Sequence, residues 1–255
     1  MQYIYNSIGF LLSKVFHYRF SVSLQNIARA FPCASYQEIA YYHKYFYRNL
    51  SRVLVETLFS KRQLLYLTQG TKEDLEEIKK ENRNIILLLG HYGNWELIRQ
   101  LPLSTDIPIQ ALYKPLKSKY WNHRIKNRRE KNGIRLIPSQ NALRILLKEK
   151  DTINMTVFIS DQFPGKNKGI EVQFLNQKTH VYTGAEQIAR KLNAYVIYGE
   201  ISPFGNKKWQ LSISTICQEA RETKEGFIST HFTEELETSI RKDPSLWLWS
   251  HKRWK

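Results

Sequence analysis

From residue 84 onward, short apolar runs alternate with amphipathic stretches. "NIILLLG", "IPIQALY", "IRLIP", "INMTVFIS", "IEVQF", "AYVIYGEI" and "WQLSIST" are runs of strand length rich in β-branched and aromatic side chains, and each predicts a strand. Between them "NWELIRQL", the basic "LKSKYWNHRIKNRREKNG", "SQNALRILLKEK" and "TGAEQIARKL" predict helices. The last is read as opening on a capping box, with Thr183 as N-cap and Glu186 three residues later. This alternation predicts an α/β layered domain with a mostly parallel sheet flanked by helices. The first 60 residues read as helical, with a break at "AFPCAS". Ile39, Tyr42, Phe46, Leu50 (or Asn49 on the same side), Val53 and Leu58 keep a three-to-four spacing. The tyrosine-rich, basic face of that helix suits either a lipid interface or packing on the rest of the domain. No repeat or low-complexity linker divides the chain. The expected organisation is one domain over 1–255, with an N-terminal helical, membrane-facing segment (1–70) and an α/β catalytic core (84–255).

Composition narrows the class. At 255 residues, 42% hydrophobic and 13% aromatic, the chain has enough apolar material for a large core. Lys and Arg outnumber Asp and Glu by 39 to 23, a net charge of +16. Such a surplus favours polyanionic partners: nucleic acid, an acidic protein, anionic lipid headgroups or phosphorylated sugars. The longest apolar stretches, "IILLLG" and "IGFLL", fall far short of the roughly 20 residues a spanning helix needs. Cys33 and Cys217 make no disulfide framework, and nothing resembles a cleaved secretory signal, so a reducing, cytoplasmic setting is expected.

The chemistry concentrates in "NIILLLGHYGNWELI", where His91 stands at the carboxyl end of a predicted buried strand and Glu96 follows five residues later. In an α/β sheet, sites collect at such strand ends. Residues five apart on a continuous helix diverge by about 140°, so the two meet only if His91 precedes the helix and Glu96 lies in its first turn. Gly90 and Gly93 permit the turn, and Asn94 is a suitable N-cap for a helix beginning at Trp95. Glu96 is then expected to hold the imidazole in one tautomer, as an acid does in nucleophile-activating dyads. The bland alternative is a histidine capping a strand beside a solvated glutamate. His17, His43, His123, His180 and His231 have no partners at metal-ligand spacing, and no metal site is expected. The aromatic "WLWSHKRWK" reads as an interfacial belt or as a packed C-terminal element.

"GHYGNWEL" resembles the H-x4-D/E motif of the bacterial lipid A biosynthesis acyltransferases, the lauroyl and myristoyl transferases of the wider glycerolipid and lysophospholipid acyltransferase group. The resemblance covers nearly the whole chain, with four further blocks in the right order. "HYRFSVSLQNIARAFP" resembles the family's N-terminal stretch. "ALYKPLKSKYWNHRIKNRREKNGIRLIP" resembles the block with an arginine four residues before a glycine. "FISDQFPGKNKGIEVQFLNQKTHVYTGAEQIARKLNAYVIYGEI" resembles the third block, and "DPSLWLWSHKRWK" the C-terminal end.

The resemblance implies a glycerolipid-acyltransferase-like fold and an acyl transfer in which His91 is the general base and Glu96 orients it. The hydroxyl attacks a thioester directly, so no acyl-enzyme, metal or cofactor is implied. Arg129 matches the family's essential arginine, with Arg128 as the fallback one residue away. Asp161 matches the acidic position after the fourth strand and is expected to help seat the acceptor, together with Asn94 and Lys114. Implied partners are acyl carrier protein as donor, a phosphorylated, Kdo-bearing lipid A precursor as acceptor and the anionic membrane surface. The implied setting is peripheral, on the cytoplasmic face of the inner membrane, as a monomer. Three departures stand out. Only 17 residues precede Tyr18, where the family often carries an apolar anchor, so attachment through a shorter helix plus charge is expected. Lys114 stands where arginine is usual, and Asn176 where glycine is common, a position Asn fills because it tolerates left-handed backbone. Two rivals remain: the same chemistry on a lysophospholipid or aminolipid, and a basic nucleic-acid-binding module. The second lacks any recognisable nucleic-acid motif.

Overall fold

The computed structural model describes residues 2–59, 62, 64–115, 118–165, 168–205 and 208–254, without the side chain of Trp121. Residues 116–117, expected to open the basic helix, and 166–167 and 255, within two of the resembling blocks, lie outside the described residues. The chain begins with α1 (Gln2–Phe10), a π-helical turn (Leu11–Val15), α2 (Phe20–Ala30) and α3 (Tyr36–Phe59). There follow β1 (Leu65–Leu67), α4 (Gln69–Lys80), β2 (Ile85–Leu89), a 3₁₀ helix (Trp95–Leu103), β3 (Ile109–Tyr113) and α5 (Lys119–Glu130). The second half comprises β4 (Arg135–Pro138), α6 (Ala142–Lys148), β5 (Met155–Ile159), β6 (Ile170–Phe174), β7 (Gln177–Val181), α7 (Gly184–Leu192), β8 (Tyr195–Phe204), β9 (Lys208–Cys217) and α8 (Phe227–Lys242). Seven strands form one sheet in the order β1-β9-β8-β2-β5-β3-β4. Only the β8–β9 pairing is antiparallel. The fold is therefore the mixed α/β layer the alternation predicts.

Every strand read from the sequence is present. The strand β2 lies between β8 and β5, and all five of its residues are buried, which is why it reads as a continuous apolar run without alternation. Two strands and two helices were not anticipated. The strand β1 is only three residues long, and β7 completes a separate hairpin with β6. Asn176 in that hairpin's turn has φ 61°, the left-handed conformation expected of it, and Leu175 before it has φ 50°. The helix α4 is hidden in a charged stretch but is capped by Thr68, whose hydroxyl accepts from Thr71 N–H at 3.2 Å.

Two local expectations are corrected. Thr183 occupies the N-cap position of α7 but makes no capping hydrogen bond. Glu186 instead accepts from Gly226 N–H at 2.5 Å, Ser229 N–H at 3.0 Å and the Ser229 hydroxyl at 2.6 Å. It is thus recruited to start α8 rather than α7. "NWELIRQL" is helical but 3₁₀, not α. Pro102 has no N–H to give Ile98, so one α-helical bond is unavailable, and the Arg99 guanidinium donates to the Glu96 carbonyl at 2.7 Å.

The N-terminal helices are built into the core. On α3 the residues Ile39, Phe46, Leu50 and Val53 are buried as their spacing predicts, whereas Leu58 is exposed. The "WLWS" segment is packed, with Trp247 and Trp249 both buried. Asn26 of α2 donates to the carbonyls of Trp249 and His251, each at 2.9 Å, tying the first and last resembling blocks together. Among the described residues, no helix is long and apolar enough to cross a membrane.

Candidate active site

Strands β2 and β5 are parallel neighbours with Leu89 opposite Ile159. Two residues further along each strand stand His91 and Asp161, so the pairing register alone brings them side by side. The Ser160 N–H donates to Leu89 O at 3.0 Å, carrying the ladder one step past the strand end. His91 Nδ1 lies 2.5 Å from Asp161 Oδ1, and the His91 backbone N–H donates to Oδ2 at 2.9 Å. The Trp247 indole donates to the same Oδ2 at 2.8 Å. With three donors converging on it, Asp161 is 5% exposed and carries no free face for a substrate.

The turn that presents His91 is held from two sides. Gly93 has φ +62°, and a Cβ there would sit 1.7 Å from the Ile201 carbonyl oxygen, so only glycine fits. At Gly90 the constraint is space, since an added Cβ would lie 2.5 Å from a Leu236 methyl. Tyr92 bridges Trp247, Gly93 N–H donates to Leu246 O at 3.0 Å and Leu248 N–H donates to His91 O at 3.0 Å. The C-terminal segment thus lies as a strap along the His91 turn.

Among the described residues Glu96 makes no hydrogen bond to His91. Its carboxylate is taken by Arg129, whose Nη2 and Nε approach at 2.6 Å and 3.3 Å in a forked contact. The physical reason lies in the tight 3₁₀ turn, which starts at Trp95 and places that ring 5.1 Å from the imidazole, while the Glu96 side chain faces α5. The orienting contact expected of Glu96 falls to Asp161. Asn94 is corrected as well. It precedes the helix but makes no capping bond, and its fully buried amide donates to Glu56 Oε2 at 2.8 Å. Glu56 also accepts from Trp209 Nε1 at 2.7 Å and Arg52 Nε at 2.8 Å, anchoring the turn to α3. Asn94 thus ties the turn to α3 and is not among the residues that line the cavity beside Glu96. Of the two candidate arginines, Arg129 reaches the site. Arg128 is half-buried, and no hydrogen bond or ion pair joins its side chain to another described residue. Lys114 is exposed just beyond β3, outside the cluster.

Glu96, Arg129, Trp95 and Arg99 border a cavity of about 60 Å³ whose floor is apolar, built from Ala111, Leu136, Val157 and Ile159 among others. Arg99 was not singled out in the sequence, where it is one arginine among many. It is 5% exposed, and burial lowers its pKa while the nearby Glu96 charge raises it. Gln162 was also missed, and its side-chain amide lies 3.4 Å from His91 Nε2. The only available signal was its adjacency to Asp161.

Electrostatics favour a strong base. Burial alone would lower the His91 pKa, but the Asp161 charge and hydrogen bond, with a smaller contribution from Glu96, outweigh it and raise the value above 6.5. Burial alone would likewise raise the Asp161 carboxyl. The facing imidazole and the three hydrogen bonds reverse this and bring it down to about 2. With Nδ1 committed to the carboxylate, the neutral ring carries its proton there and presents the Nε2 lone pair, which meets the Gln162 amide at 3.4 Å.

A mostly parallel α/β sheet with a histidine–carboxylate pair at the carboxyl ends of its central strands, beside an arginine-bordered apolar cavity, has the layout of an enzyme. The chain matches the family described as Bacterial lipid A biosynthesis acyltransferase over residues 1–255, its whole length. It belongs to that family and is an acyltransferase. Comparison with individually curated proteins gives no match.

Proposed function

We propose that this acyltransferase moves a fatty acyl chain from acyl carrier protein to a hydroxyl of a phosphorylated, Kdo-bearing lipid A precursor, with His91 as general base. The observation that carries the reading is the fixed imidazole: Asp161 holds Nδ1 at 2.5 Å, and Nε2, met only by the Gln162 amide at 3.4 Å among the described residues, is the nitrogen left to accept a proton once the acceptor hydroxyl displaces that amide. In the proposed step the acceptor O–H gives its proton to His91 Nε2 while its oxygen attacks the thioester carbonyl carbon. The tetrahedral intermediate collapses, an ester bond forms, the carbon–sulfur bond breaks, and the imidazolium returns the proton to the leaving thiolate. No acyl-enzyme, metal or cofactor takes part.

Asp161 takes the orienting role and stabilises the imidazolium. Arg129, held ready by Glu96, supplies a planar fork for a phosphate or for the developing oxyanion. The apolar cavity beneath it suits the first methylenes of the acyl chain. The net charge of +16 attracts both an acidic carrier protein and phosphorylated lipid, and fits a peripheral position on the cytoplasmic face of the inner membrane. Mass spectrometry of lipid A and of total lipid from cells with and without the gene tests the acceptor. Loss of one acyl chain from lipid A is the expected result. Unchanged lipid A with an altered phospholipid or aminolipid would overturn this acceptor assignment.

A further inference from the structure

A second hollow lies far from this chemistry in sequence, between α1, its π-helical turn, α2 and the first half of α3. It encloses about 900 Å³ and shares no residue with the cavity bordered by Glu96 and Arg129. Its floor and sides are largely apolar, with Phe10, Leu11, Leu24 and Tyr36 among the lining side chains. Three cations border it: Lys14 from the π-helical turn, and Lys44 and Arg48 from α3. None of its lining residues is acidic.

The cations have no carboxylate partner within 4 Å among the described residues. Lys14 lies 5.3 Å from the Phe20 ring centre, Lys44 6.0 Å from that of Tyr45 and Arg48 5.6 Å from the same ring. Lys44 and Arg48 are one helical turn apart and therefore on one face. The π-helical turn, in which Phe16 N–H bonds Leu11 O at 2.9 Å, widens the helix where Lys14 projects. Phe10 of the lining is 61% exposed, and Val15 and Phe16, which follow Lys14 in the chain, are 54% and 69% exposed, an apolar edge that no element covers among the described residues. An uncovered apolar edge beside a cation-bordered apolar trough matches one chemistry: a molecule with a negative head and a hydrocarbon tail, drawn sideways from a layer on which the edge rests.

We propose that this groove is a binding site for one acidic glycerophospholipid, its phosphate met by Lys14, Lys44 and Arg48 and a chain laid along Phe10, Leu11 and Leu24. It would hold the N-terminal helices on an anionic bilayer by a seated lipid in addition to diffuse charge. The proposal goes beyond the acyl transfer and does not depend on it.

Ala40 lines the groove from the exposed side of α3, so Ala40→Trp fills the trough without altering charge or core. Native mass spectrometry of the protein with phosphatidylglycerol is expected to show one retained lipid per chain, with phosphatidylcholine retained poorly. Ala40→Trp is expected to abolish retention while its melting temperature is unchanged. Lys44→Gln with Arg48→Gln is expected to weaken it at least about tenfold, since each cation near an anionic headgroup is worth roughly 1 kcal/mol. Several outcomes would overturn the proposal. One is equal retention of both lipids, and another is wild-type retention by Ala40→Trp. Competition by glycerol phosphate as strong as by the whole lipid would reduce the site to a phosphate patch. A light-scattering dimer that Ala40→Trp makes monomeric would assign the groove to a second copy of the chain. His91→Ala protein is expected to retain lipid as the wild type does, so failure here and failure of the acyl-transfer reading are separable.

Discussion

Two acid–base pairs stand within one site and differ in nearly every physical respect. His91 and Asp161 have side chains 17% and 3% exposed, and the carboxylate is filled by three donors. Arg129 and Glu96 are 36% and 21% exposed, and their fork closes over an open cavity. A buried pair of matched charges is rigid because either charge left alone in that place is costly. A half-exposed pair is worth about 1 kcal/mol or less and can be exchanged for another partner. The comparison assigns the two jobs differently: one pair is set before substrate arrives, and the other yields to substrate.

The sharpest break of that contrast is Asp161→Asn. An amide offers an N–H toward Nδ1 and favours the tautomer whose proton sits on Nε2, where the acceptor hydroxyl must bind. Turnover is expected to fall by about 10⁴, as when a carboxylate that fixes a catalytic tautomer is neutralised. His91→Ala is expected to lose about 10²–10⁴. Steady-state kinetics on purified protein check both, and near wild-type turnover in either sinks the base assignment.

Arg129→Ala comes next. Losing a charged, forked contact costs about 1.5–3 kcal/mol, roughly 10–100-fold in kcat/KM, and Arg129→Lys is expected to recover only part of it. Arg128→Ala in parallel is expected to change little. If Arg128→Ala carries the loss instead, the substrate arrives from the other side of α5. Glu96→Gln is expected to be milder still, about tenfold or less, since it loosens Arg129 and removes only the weaker of the two negative charges that act on the imidazole. A collapse as deep as that of His91→Ala would show that Glu96 acts on the base after all.

Acidity separates the pairs with the smallest signal. His91 must be neutral to accept a proton, so kcat/KM falls as pH drops through its raised pKa. The acid limb is expected above the ordinary 6.5, and Asp161→Asn is expected to move it to lower pH because the charge that raises it is gone. Stability follows the same pair. The contribution of Asp161 is present above its unfolded value of about 3.9 and is lost as pH falls towards about 2. That of His91 is complete below about 6.5 and lost as pH rises through its raised folded value. Urea midpoints are therefore expected to show this contribution at its fullest between about 4 and 6.5, and to show it much reduced in Asp161→Asn.

Much of the fold was legible because the strands are bounded apolar runs, and β2 through β5 carry little ambiguity. The position of His91 followed from the same pattern. Its partner did not, because five residues along the chain is a spacing, whereas strand register is a fact of tertiary pairing between segments seventy residues apart. Asp161 was identified, but its contact with His91 was not foreseen, and the Trp247 that shares it was seen only as an aromatic among cations. Glu186 and Asn94 failed in one way. Each fits a local capping rule, and each is claimed by a distant segment that buries it. The helix α4 was missed because its charged sequence buries only Thr71, Leu75 and Ile78.

The central position of β2 has a consequence in time. Its neighbours β5 and β8 lie about seventy and a hundred and ten residues further along the chain, so both flanks of the strand close large loops. Such pairings are slow to form, because the entropy of loop closure is spent before any contact repays it. A half-assembled chain already carries His91, but no carboxylate beside it and no indole behind that carboxylate. Reactivity therefore arrives as one of the last events of folding, and an intermediate with native helices is expected to be chemically silent.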